Sequence, residues 1–114
     1  MSTAPVKIER ITDEKRTEVV RRPVAALAAR SVYAFGSQVY GVPTDTSDVD
    51  VLIVVDDPSS LDVGALRRVH EALAGPLLPI ELHFRSQQNF ERRKGMRATL
   101  EHEVATKGRL LYAA

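Results

Sequence analysis

At 114 residues the chain is sized for one domain with its own core, and is too short for a catalytic domain plus a separate substrate domain. A content of 44% hydrophobic and 27% charged residues argues against disorder, and a net charge of +1 argues against a general nucleic-acid coat. Cysteine is absent, which excludes disulfides, thiol chemistry and cysteine-ligated zinc.

The near-neutral total hides a segregation. Residues 42–84 hold eight acidic and two basic side chains, whereas residues 85–114 hold seven basic and three acidic ones. The first thirty residues are charged and lack an apolar signal region, and no apolar run is long enough to span a bilayer. The expectation is a soluble cytoplasmic protein without membrane contact and without strong nucleic-acid binding, folded as one domain over residues 1–114 with residues 1–11 as a flexible start.

In chain order, residues 12–29 predict a helix with Val19, Val20, Val24, Leu27 and Ala28 on its apolar side. Pro23 removes an amide donor, so a kink or two abutting helices are expected there. SVYAF (31–35) is β-branched and aromatic, and it ends at Gly36, which predicts a strand running into a tight turn. Gly41, Pro43 and the polar cluster at 44–47 mark a loop. Val51 to Val55 are apolar without alternation, the mark of a central strand covered on both faces.

The stretch from Asp56 to Ser60 reads as a turn and a helix start, with Leu61, Val63, Leu66, Val69 and Leu73 on one helical side up to Gly75-Pro76. PIELHF (79–84) alternates, with Ile80, Leu82 and Phe84 on one face and Glu81 and His83 on the other. Ser86 is placed to cap a helix reaching Lys94, and a further helix from about Met96 to Lys107 stops at Gly108 before RLLY.

Chemistry concentrates between Gly36 and Glu81. Alternation puts Asp48 and Asp50 on one face of their strand, and Glu81 joins them if its strand pairs alongside. Three carboxylates about 5 Å apart repel by roughly 3 kcal/mol per pair at an effective dielectric near 20, a repulsion that proteins relieve with a divalent cation or by raising a pKa. Oxygen ligands suit magnesium or manganese, and such clusters serve phosphoryl transfer. Gly36 allows close backbone approach, and Ser37 with its neighbouring amides is suited to cradle a triphosphate. His83, on the Glu81 face, reads as a surface or partner-facing side chain because magnesium prefers oxygen. Tyr40 and Tyr112 read as packing residues, and Arg92-Arg93-Lys94 as a polar helix face.

Gly36-Ser37, ten intervening residues, Asp48-x-Asp50 within an apolar strand and a later strand carboxylate at Glu81 together resemble the signature of the nucleotidyltransferase superfamily that includes DNA polymerase β. Within it, the chain resembles the minimal nucleotidyltransferase (MNT) group, whose members often pair with HEPN-domain toxins. The resemblance implies an α+β fold, a mixed β-sheet with helices packed on one face. It also implies that Gly36 and Ser37 hold phosphates, that Asp48, Asp50 and Glu81 bind Mg2+ or Mn2+, and that Glu81 orients the incoming hydroxyl. The implied reaction moves AMP from ATP onto a hydroxyl, with a tyrosine of a HEPN toxin as acceptor, making the protein an antitoxin in a homo- or hetero-oligomer. Two alternatives stay open: a non-catalytic module that neutralises its partner by contact, and a small-molecule nucleotidyltransferase completed by a partner subunit. Gln38, Val39 and Tyr40 stand where family members often carry arginines, which favours the first alternative.

Overall fold

The computed structural model describes residues 21, 24–36, 49–74 and 80–114. Its described elements are β1 (Ala29–Phe35), β2 (Val49–Val55), a 3-10 turn (Pro58–Ser60), α1 (Val63–Ala74), β3 (Ile80–Ser86), α2 (Gln87–Arg93), α3 (Leu100–Lys107) and β4 (Arg109–Ala113). The strands form one four-stranded sheet in the order β3-β2-β1-β4. β2 runs parallel to β3, while β1 is antiparallel to both β2 and β4. This is the mixed α+β arrangement expected from the sequence.

The unbroken apolar run of β2 explains its place in the sheet. Val49 and Val51 to Val55 are all buried, so both faces of the strand are covered. On the first face, Val49, Val51, Ile53 and Val55 pack with Val32 and Ala34 of β1, Ile80 of β3, Val24, Leu27, and Ala65 and Val69 of α1. On the second face, Leu52 and Val54 meet Phe35, Phe90 of α2 and Val104 of α3. Helical cover therefore extends beyond one face, because Phe90 and Val104 bury their side chains against the sheet from the other side. Burying each such apolar side chain contributes roughly 1.5–3 kcal/mol before chain entropy is counted.

Most of the predicted first helix and its Pro23 lie outside the described residues, but residues 24–26 are helical and Val24 and Leu27 are buried. Two boundaries differ from expectation. α1 begins at Val63, which is exposed, and its inward side is Ala65, Leu66, Val69 and Ala72. The 3-10 turn and the extended Leu61 reset the helical phase, and the Asp62 carboxylate accepts from the Ala65 amide at 3.1 Å to start the helix. The last helix starts at Leu100 rather than near Met96, because Ala98 takes a left-handed φ of 67° and Thr99 caps the helix by accepting from the His102 amide. Ser86 caps α2 as its position predicts, accepting from the Asn89 amide at 3.1 Å. No helix among the described residues is long and apolar enough to cross a membrane.

Candidate active site

The site is assembled by strand register. Parallel pairing sets Asp50 beside Glu81 and Leu52 beside His83, and antiparallel pairing sets Phe35 beside Asp50. Because side chains alternate along each strand, Asp50, Glu81, His83 and Phe35 all project from the second face of the sheet. Farther along that face α2 and α3 close over Leu52 and Val54. At the start of β2 the cover ends, leaving the Asp50 side chain 29% exposed, His83 26% and Glu81 59%. Glu81 stands on β3, an outer strand of the sheet among the described residues, and its side chain is the most exposed of the three.

The side chains converge. His83 Nε2 lies 3.2 Å from Asp50 Oδ1 and 3.7 Å from Glu81 Oε1. Its ring leans on buried Phe35 at a centroid distance of 5.3 Å and an angle of 57°, so the imidazole is held across β2 rather than swung into water. One ligand atom from each of Asp50, Glu81 and His83 lies within 4.8 Å of the others. Two carboxylates and an imidazole at this spacing suit one divalent cation, so the donor set fits a metal.

Gly36 closes the other side of Asp50. Its φ of 94° belongs to the left-handed half of conformational space, and a Cβ at this position would lie 2.5 Å from Asp50 Oδ2. The turn after β1 is thereby pressed against the carboxylate. Glycine is required twice over, once for the backbone angle and once for the room.

Of the five site residues expected from the sequence, Gly36, Asp50 and Glu81 are brought together. Ser37 and Asp48 lie outside the described residues. His83 departs from its expected role as a surface side chain, because it is bonded to Asp50 and packed on Phe35. Its signal was its position two residues after Glu81 on an alternating strand.

A second charged cluster lies farther along the same face of the sheet. Glu101 of α3, only 4% exposed, accepts from Arg85 Nε of β3 at 3.1 Å and forms an ion pair with Arg93 of α2 at 3.4 Å. The second contact lacks hydrogen-bond geometry, leaving Arg93 Nε buried without a hydrogen-bond partner. Arg93 thus does more than form a polar helix face: with Arg85 and Glu101 it ties both second-face helices to the strand that carries Glu81 and His83.

The family model for the nucleotidyltransferase domain matches residues 13–109, most of the chain. This chain belongs to the nucleotidyltransferase domain family. Its fold is similar to the crystal structure of a candidate nucleotidyltransferase from Sulfolobus solfataricus, with a TM-score of 0.56 and 19% sequence identity over 99% of this chain and 90% of that one. No curated protein matches.

Proposed function

We propose that this nucleotidyltransferase domain is a metal-dependent enzyme that transfers AMP from ATP to a tyrosine hydroxyl of a HEPN toxin, and so acts as an antitoxin. The observation that carries the reading is the side-by-side pairing of Asp50 and Glu81, with Gly36 against the far oxygen of Asp50. Asp50 and Glu81, with Asp48 two residues before Asp50 in sequence, would hold Mg2+ or Mn2+. A cation held by these carboxylates would supply charge neutralisation for phosphoryl transfer.

In the proposed reaction the tyrosine oxygen bonds to the α-phosphorus of ATP as the bond from that phosphorus to the bridging oxygen breaks, and pyrophosphate departs. The phenolic proton passes to a Glu81 carboxylate oxygen, which is exposed and within reach of an incoming chain. As the sequence resemblance implies, Gly36 with the following Ser37 would hold the β- and γ-phosphates. Glu81 on the sheet edge supports an acceptor delivered by another macromolecule, since a partner reaches an open edge without entering a pocket.

The test is transfer itself. Incubated with labelled ATP, magnesium or manganese and its partner, the protein should place an AMP-sized adduct on a partner tyrosine, located by mass spectrometry. Asp48→Ala combined with Asp50→Ala should abolish the adduct while leaving the fold intact. Full neutralisation of the partner by that double variant, with no adduct from either protein, would replace this reading with that of a contact-only binding module.

A further inference from the structure

We propose that His83 is a nitrogen ligand of the cation held by Asp50 and Glu81, and that this makes the site selective for manganese(II) over magnesium(II). The inference rests on the metal-dependent reading of those two carboxylates and adds a ligand and an ion preference to it.

The geometry around Nε2 carries the argument. That nitrogen faces two carboxylate oxygens at once, 3.2 Å from Asp50 Oδ1 and 3.7 Å from Glu81 Oε1. A single N–H is directional and serves one acceptor well. A cation has no such restriction. Adjacent ligand atoms around a six-coordinate ion with bonds of about 2.1 Å stand about 3 Å apart, so the Asp50 separation is already near a coordination edge and the Glu81 separation exceeds it only modestly.

The ring is also pre-positioned. Phe35 is 4% exposed and packs against the imidazole at 5.3 Å, which fixes the side on which Nε2 emerges. Parallel register keeps Glu81 beside Asp50, and the two-residue period of β3 returns His83 to the same face. The outer ends of all three side chains are open to a solvated ion.

Ligand chemistry then separates manganese from magnesium. Magnesium is hard, demands near-ideal octahedral geometry and takes oxygen, whereas imidazole suits first-row transition ions. Manganese(II) accepts both donor types. A site of two carboxylates and one imidazole therefore loses little with manganese and forfeits a ligand with magnesium.

The experiment titrates the full-length protein with Mn2+ and Mg2+ in the presence of a non-hydrolysable ATP analogue, reading Mn2+ by electron paramagnetic resonance and both ions by calorimetry. Spin-echo modulation on the bound Mn2+ should show a directly coordinated 14N that changes to 15N when histidine is labelled. His83→Gln should remove that modulation and weaken Mn2+ by roughly tenfold or more, the size of loss that even outer partners of metal ligands produce. Its Mg2+ affinity should move less than threefold. If His83→Gln does not fold, the labelling result on the unaltered protein decides alone. Bound Mn2+ without nitrogen modulation, or equal preference for the two ions, overturns the role of His83 while leaving the metal-dependent reading standing. No binding of either ion overturns both.

Discussion

Replacing Gly36 by alanine probes the joint between the glycine turn and the acidic site. Two separable costs follow from the structure. A φ of 94° imposes about 1–2 kcal/mol on a residue with a Cβ. The new Cβ would also stand 2.5 Å from Asp50 Oδ2, closer than such contacts occur, so the carboxylate has to turn away at about 0.5–1.5 kcal/mol. The sum, about 1.5–3.5 kcal/mol, lowers the melting temperature by about 10 °C for a domain of this size. Urea denaturation of four proteins measures the parts: the parent, Gly36→Ala, Asp50→Ala and the double variant. With the Asp50 carboxylate removed, the alanine should cost only its backbone share, and the difference between backgrounds should be about 0.5–1.5 kcal/mol. In parallel, Gly36→Ala should weaken divalent-ion binding, since Asp50 cannot turn from the new methyl and keep its bond to His83. An unchanged denaturation midpoint, or equal costs in the two backgrounds, refutes the claim that the turn is pressed on the carboxylate.

Three further outcomes are expected. Phe90→Ala should cost about 3–5 kcal/mol by equilibrium denaturation, because it empties the second-face core and removes the stacked contact with Tyr33 at 5.5 Å. Glu101→Ala should cost about 1–3 kcal/mol in the same assay, less than a fully buried pair because Arg85 and Arg93 keep 33% and 43% exposure and stay partly hydrated. Asp57 accepts from the hydroxyl and the amide of Ser59, which hold its carboxyl below the ordinary 3.8. Its folded pKa is the lower one, so its stabilisation is full above about pH 3.8 and is lost as pH falls through the folded value. Acid titration of Asp57→Ala should accordingly show a shallower loss of stability below that pH than the parent.

Strand identity was legible because the local pattern is strong. The apolar run Val51 to Val55 announced a strand covered twice, and the alternation of Ile80, Leu82 and Phe84 against Glu81 and His83 announced a strand with one wet face. The helix start at Ser86 was legible from capping chemistry. What escaped the sequence depended on distant partners. Val63 fits an apolar helical stripe, and only the extended Leu61 turns it outward. Arg93 fits a polar helix face, and only the arrival of α3 puts Glu101 beneath it. His83 was legible as to face but not as to neighbour, since its contact with Asp50 depends on β2 and β3 pairing in parallel with Asp50 opposite Glu81.

The packing that fixes this register also makes the acidic pair tolerable before any cation binds. Aligned carboxylates on neighbouring strands, about 5 Å apart, repel by roughly 1 kcal/mol in water and several times more in a low-dielectric interior. A one-residue slip of β3 would turn Glu81 toward the opposite face and remove the repulsion, yet it would also carry Ile80, Leu82 and Phe84 off the first-face core, where a fully buried side chain is worth roughly 1.5–3 kcal/mol. Core burial therefore wins and holds the pair together. The repulsion is then limited by position: Asp50 lies at the beginning of its strand and Glu81 on an outer strand, where water still screens both. The same hydrophobic face that fixes the fold thus sets two charges side by side, where a cation gains most by arriving.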